Sequence, residues 1–68
     1  MRLAKRSFSL AGHRTSVALE REFWEALEEI AERRGQTLSG LVAGVDADRM
    51  PDQPLASSLR IFALRGGS

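Results

Sequence analysis

The chain has 68 residues, with ten lysines and arginines, nine acidic residues, one histidine and no cysteine. A single chain this short buries only about 60% of the surface that its unfolded form exposes, and the lack of cysteine excludes a disulfide scaffold and a thiolate zinc site. No apolar run approaches the roughly 20 residues of a membrane-spanning helix, so we expect a cytoplasmic protein that contacts no membrane and gains stability from a partner chain.

The beginning of the chain is basic. Residues 1–19 contain four basic side chains and no acidic one, whereas residues 20–34 contain six glutamates and three arginines. Such a segment is typical of proteins that bind nucleic acid or another anionic surface, although many soluble proteins have a few basic residues near the start for no specific reason. We interpret residues 1–12 as a basic N-terminal arm.

Apolar and polar side chains alternate over residues 7–19, which predicts a β-strand with one buried face. In the second half, Val17 and Leu19 are the apolar members of the pattern. Gly12 interrupts the alternation, as a bulge, as a turn between two short strands, or where a frayed arm joins the strand proper. The sequence leaves these three alternatives open, including an additional strand over residues 5–11.

The period becomes helical at Glu20, where a first amphipathic helix begins. It ends at Arg34, before Gly35, which suits the left-handed conformation that often follows a helix. Thr37 is expected to cap a second, shorter helix that ends near Asp48. Because only two or three residues join the two helices, they must fold back on each other.

Two prolines, Pro51 and Pro54, break the chain after the second helix. We interpret residues 49–54 as a linker and residues 55–65 as a short C-terminal helix that begins with Pro54 at its first position. This helix carries more apolar residues than a simple dimer core requires. It is therefore expected to dock on the same dimer, to join dimers into larger assemblies, or to bind another protein. Such a protein partner would contact Leu55, Leu59 and Phe62.

A lone strand needs a partner for its backbone N–H and C=O groups. Antiparallel pairing with the same strand of a second copy supplies that partner and forms a closed two-fold interface. We therefore predict a mainly α fold with one β-strand, in which an intertwined homodimer shares a two-stranded antiparallel ribbon.

The order of strand, long helix, glycine and capped helix over residues 13–48 resembles the ribbon-helix-helix transcription factors of the MetJ, Arc and CopG type. The matching residues are 14–19, Phe23, Trp24, Leu27, Ile30, Ala31, Gly35, 37–39, Leu41 and Val42. The chain looks closest to small bacterial proteins in which a Gly-His-Arg-Thr-Ser-Val stretch, here residues 12–17, precedes the first helix. The resemblance implies a homodimer that binds double-stranded DNA and regulates transcription.

The resemblance also implies that the ribbon enters the major groove of DNA. Its outward positions would contact bases. Arg14 would offer a bidentate fork to guanine, Ser16 would form hydrogen bonds with base edges, and Ala18 would make apolar contact only. This small set of base contacts implies modest sequence discrimination.

The DNA backbone would be contacted elsewhere. The resemblance implies that the amino end of the second helix holds phosphate through residues Thr37, Leu38 and Ser39. Lys5, Arg6 and Arg2 would add non-specific attraction, which makes binding salt-dependent.

Each assignment has a structural alternative. Arg14 also suits a strand edge that resists aggregation, Thr37 caps its helix under either hypothesis, and Trp24 is more often a packing residue than a platform for bases. His13 alone makes no metal site. No nucleophile, base and orienting group come together, so we predict no enzyme and no cofactor. The alternative function is a protein-interaction module, either antitoxin-like or an assembly scaffold.

Overall fold

A computed structural model describes residues 2–67, which form two strands and three helices. The elements are β1 (Leu3–Leu10), β2 (His13–Glu20), α1 (Arg21–Arg33), α2 (Leu38–Asp48) and α3 (Leu55–Leu64). The strands form one antiparallel hairpin, and all three helices contact it. No helix in this described part is long and apolar enough to cross a membrane.

The number of strands differs from the prediction. β1 pairs with β2 in a continuous register, from Leu3 opposite Glu20 to Leu10 opposite His13. The fold therefore has two strands where we predicted one, because the residues before Gly12 supply β2 with a partner from its own chain. Most of the segment interpreted as a basic arm lies in β1, and the glycine marks a turn.

The turn consists of Ala11 and Gly12. Their φ angles are 50° and 80°, and two positive φ angles are what a type I′ turn requires. This turn type matches the right-handed twist of the flanking strands, so it favours a hairpin. Glycine adopts a positive φ without steric cost, whereas the Cβ of Ala11 is disfavoured there.

The core lies between the hairpin and the helices. Phe8 and Leu10 of β1 and Val17 and Leu19 of β2 are buried, as the alternating pattern predicts. The helices complete this core with Trp24, Leu27, Ile30, Ala31, Leu41, Val42 and Leu59.

Trp24 of α1 packs against β1 and forms a hydrogen bond with it. Its indole Nε1 donates a hydrogen bond to the carbonyl of Ala4 at 2.7 Å, and its ring centroid lies 5.8 Å from that of Phe8. A buried indole needs a partner for its N–H, and the backbone of β1 supplies it. The side chain is a packing residue rather than an exposed platform for bases.

The ends of the first two helices agree with the prediction to within one residue. α1 ends at Arg33, and Gly35 has a φ of 66°. Thr37 caps α2, since its Oγ1 accepts a hydrogen bond from the N–H of Gly40 at 3.0 Å, and α2 ends at Asp48. These signals are local in sequence, so they are readable without knowledge of the tertiary structure.

α3 packs on its own chain, where it contacts α1, α2 and β2. Leu59 is completely buried, and Leu55 and Phe62 pack against the core while partly exposed. The three residues predicted to face a protein partner thus stabilise their own subunit. Pro54 is the N-cap of this helix rather than its first residue.

Candidate nucleic-acid interface

The face of the hairpin that points away from the helices carries the residues predicted to contact bases. Directly opposite residues of an antiparallel pair share a face. Four opposite pairs share this one. The pair at the open end of the hairpin is Glu20 and Leu3, and Glu20 forms an ion pair with Arg60. The other three pairs form the surface of the predicted base contacts: Arg14 and Ser9, Ser16 and Ser7, and Ala18 and Lys5. We call this surface the outer face. Ala18 is half-buried and the other five residues are exposed.

The chemistry of the outer face is cationic and hydroxylic. Lys5 lies near the open end of the hairpin and Arg14 near the turn, and within residues 2–67 neither forms an ion pair. Between them the hydroxyl oxygens of Ser7 and Ser16 lie 3.1 Å apart. One hydroxyl donates to the other, so the second keeps its proton for an outside acceptor. Two cations and spare donors suit an anionic, acceptor-rich ligand.

Arg6 lies on the other face of the same hairpin. Its guanidinium forms a 2.8 Å ion pair with Glu28 and lies 5.1 Å from the centre of the Trp24 ring. The alternation of β1 places it on the side of Phe8, toward the helices. Of the predicted phosphate contacts on the hairpin, Lys5 therefore lies on the outer face and Arg6 does not. Arg2 is exposed just before β1.

The amino end of α2 is a separate group of predicted contacts. Thr37 and Ser39 are exposed and Leu38 is half-buried. The first N–H groups of a helix have no partner within it and lie at the positive end of its dipole. The hydroxyl of Thr37 accepts from one of them, that of Gly40. The N–H groups of Leu38 and Ser39 would remain for a bound phosphate.

The negative charge of Glu20, at the end of β2, is paired with Arg60 of α3. Glu20 accepts a hydrogen bond from Arg60 at 3.1 Å. Hydrogen bonds from its own backbone N–H and from Arg60 lower the pKa of Glu20 against a smaller opposing effect of burial. This acidic group is therefore ionised and paired, which limits its repulsion of an anion at the neighbouring outer face.

Sequence reasoning missed Ser7 and Ser9. Their alternation with Phe8 and Leu10 was visible, but only a second strand opposite β2 brings these hydroxyls beside Ser16. The missing information was the pairing of β1 with β2, which gives the surface twice the width of one strand.

The comparisons with known proteins agree with this architecture. The sequence profile of the family described as ribbon-helix-helix domain matches residues 3–66. Curated proteins and solved structures gave no match. The profile match includes β1 and α3, so it extends beyond the strand, helix and capped helix on which the resemblance depended. With nearly its whole length matched, the chain belongs to the ribbon-helix-helix domain family.

Proposed function

We propose that the protein is a DNA-binding transcriptional regulator that acts as a homodimer. The outer face is the observation that carries this proposal, because it combines Arg14, Lys5 and a set of hydroxyls on one exposed surface. Membership of a family whose members are generally DNA-binding regulators supports it.

The second edge of β2 supports the dimer. Within residues 2–67, β2 pairs along one edge only, and the eight residues of the strand contain neither proline nor a bulge. An open edge of this kind is a template for another strand. Symmetric pairing of two such edges gives a sheet with the strand order β1-β2-β2-β1.

Such a sheet combines the outer faces of both copies. Opposite residues of antiparallel strands share a face. A symmetric pairing that keeps Val17 on the helix side in both copies therefore puts Arg14 and Ser16 of both copies on the other side. The two-fold axis predicts a palindromic or repeated short DNA site.

A four-stranded sheet is wider than the major groove of DNA, so its central and outer strands would have different roles. At about 4.8 Å between neighbours, its outermost strands are about 14 Å apart, whereas the major groove is about 12 Å wide. Only the two central β2 strands fit inside the groove, so Arg14, Ser16 and Ala18 would contact bases. The β1 strands would lie at the rims, with Lys5 toward phosphate.

The remaining phosphate contacts are assigned to the amino end of α2, through Thr37, Leu38 and Ser39. Arg6 is left out, because its ion pair with Glu28 and its position over Trp24 occupy it on the helix side.

A polarisation assay with labelled duplex DNA at two salt concentrations tests the proposal. We expect binding that weakens with salt through counterion release. Arg14→Gln should weaken it by about 1–3 kcal/mol, the value of one bidentate contact to a base. Arg6→Gln is the matched control, since it removes the same charge from the opposite face of the same hairpin. Its fold should be checked by circular dichroism.

Two results would contradict the proposal. One is failure of the wild-type protein to bind duplex DNA even at low salt. The other is an equal loss of affinity in Arg14→Gln and Arg6→Gln, because the effect would then come from net charge and not from the outer face.

A further inference from the structure

A groove of about 330 Å³ lies between α2 and α3. Apolar side chains contribute to its walls, among them Leu41 and Val45 from α2 and Phe62 from α3. None of the six outer-face residues lines it. Small-molecule sites have volumes of about 300 to 1,000 Å³, so the groove has room for one compound with a single ring.

Ser58 is the unexplained polar group of this groove. The residue is only 9% exposed and lines the cavity, and its hydroxyl oxygen has no hydrogen-bond partner within the described residues. Buried hydroxyls nearly always have a partner, because an unpaired one loses its hydration without compensation. The oxygen itself is closed to solvent, so a polar atom of a bound molecule would satisfy it once the Ser58 side chain turns toward the groove.

The charge around the groove is mainly positive. Its charged lining residues are Arg34, Arg49, Arg65 and Asp48. Arg49 is compensated by Asp46 at 2.8 Å. Arg34 instead lies over the ring of Phe62 at 5.5 Å, and in residues 2–67 it forms no ion pair. It therefore keeps its charge and its forked donors for an anion.

We propose that this groove binds a small aromatic carboxylate with a second hydrogen-bonding group at the far end of its ring. The carboxylate pairs with Arg34, the ring packs on Phe62 and Leu41, and the far group bonds to the hydroxyl of Ser58. Ser58 precedes Phe62 by four residues of α3, a rise of about 6 Å, and this separation suits the length of one substituted ring. The site shares no residue with the outer face, and Gln36 and Gly40 of its lining flank the amino end of α2.

Titration of the ¹⁵N-labelled protein with 4-hydroxybenzoate, followed by amide chemical shifts, tests the inference. We expect saturable shifts at Gly40, Gly44 and Ser58, which line the groove. Benzoate should bind several-fold more weakly, because it lacks the group that meets the serine. 4-Hydroxybenzyl alcohol, which lacks the carboxylate, and inorganic phosphate, which lacks the ring, should give no saturable shift.

Three variants separate the contributions. Arg34→Gln should weaken 4-hydroxybenzoate binding by about 10-fold, as expected for loss of a charge-assisted hydrogen bond. Ser58→Ala should abolish the preference for 4-hydroxybenzoate over benzoate. Arg33→Gln is the matched control, because this neighbouring arginine lies outside the groove and should leave binding unchanged.

The inference is overturned if the shifts do not saturate at millimolar ligand, as they would fail to do if a second chain covers the groove. It is also overturned if phosphate reproduces the shifts, which would mean an adventitious ion only. Equal effects of Arg34→Gln and Arg33→Gln would exclude the assigned anion contact.

Discussion

Glu20 and Arg60 connect the end of β2 to α3 through one ion pair of 3.1 Å, and the Arg60 guanidinium lies 5.9 Å from the centre of the Phe23 ring. The pKa of Glu20 is lowered, first by its own backbone N–H and then by Arg60. A carboxyl whose pKa is lower in the folded state stabilises the fold above its unfolded pKa and loses that effect as the pH falls through the folded value.

Stability should therefore depend on pH through this pair. We expect Glu20→Gln to lower the thermal midpoint at pH about 7, and the difference from wild type to narrow by pH about 3, below the ordinary glutamate pKa of about 4.3. Glu25→Gln, at an exposed position of α1, should produce little difference at either pH. A Glu20→Gln deficit of the same size at both pH values would show that the effect is not ionic.

The turn residues give a second prediction at this scale. Ala11 has a φ of 50° and Gly12 a φ of 80°. Asparagine tolerates the left-handed region better than alanine and is favoured at the first position of type I′ turns. In urea denaturation, Ala11→Asn should stabilise the protein by about 0.5–1 kcal/mol, and Gly12→Ala should destabilise it by about 1–2 kcal/mol.

A steric clash does not explain the expected loss from Gly12→Ala, since a Cβ at Gly12 would meet no atom of the described residues within 4 Å. If Ala11→Asn and Gly12→Ala changed the free energy of unfolding in the same direction by a similar amount, the type I′ turn geometry would be contradicted.

Residue-level reasoning could predict which side chains each strand buries, but not how the two strands combine. Arg6 and Arg14 both occupy even positions, yet they lie on opposite faces. The two-residue turn places Leu10 opposite His13, so the inward positions change from even in β1 to odd in β2. Each strand's own alternation gives its inward positions, but only the turn shows that the two strands pair, and therefore that Arg6 and Arg14 lie on opposite faces of one sheet.

At the level of elements, α3 is an integral part of the domain rather than an appendage. Leu59 is completely buried against the core, while Leu64 on the same helix is 77% exposed. Leu59→Ala should reduce the free energy of unfolding by about 2–5 kcal/mol because it leaves a cavity. Leu64→Ala should change it by no more than about 0.5 kcal/mol.

Chemical denaturation of both variants measures this difference. If the two substitutions cost the same small amount, α3 would not be docked on the core as described, and the groove between α2 and α3 would lose one of its walls.

The elements also differ in how far the sequence predicts them. α1 and α2 were predicted with their ends because Gly35 and Thr37 act on their immediate neighbours. β1 was left open for two reasons. Its partner is set by non-local pairing, and its turn has Ala-Gly in place of the Asn-Gly that signals a hairpin most strongly.

At the scale of the whole molecule, pairing within one chain and pairing between chains are compatible. A strand has two edges, and β1 occupies one edge of β2. Within residues 2–67 the isolated subunit already buries eleven apolar side chains, so a second copy is not required to complete the hairpin. In the proposed homodimer, a second copy would add a wider outer face with two-fold symmetry.

Cross-linking at single introduced cysteines tests that assembly, because the chain has no cysteine of its own. Ser16 and Ser7 are directly opposite each other and share one hydrogen bond, so replacing either by cysteine removes the same contact. In the proposed β1-β2-β2-β1 sheet, a two-fold axis at the middle of β2 would bring the Ser16 residues of the two copies within roughly 8 Å, the distance of a diagonal neighbour. Ser7 lies on the outermost strand, about 14 Å from its counterpart.

A thiol cross-linker that spans about 8 Å, the diagonal distance between paired strands, should therefore join Ser16→Cys into a species of twice the 7.5 kDa chain mass and leave Ser7→Cys monomeric on a denaturing gel. Equal cross-linking of both variants would indicate random collision. Cross-linking of Ser7→Cys alone would indicate that two copies pair through β1, which would place Lys5 at the centre of the sheet and Arg14 away from it. The assignment of base contacts to β2 depends on which of these results is obtained.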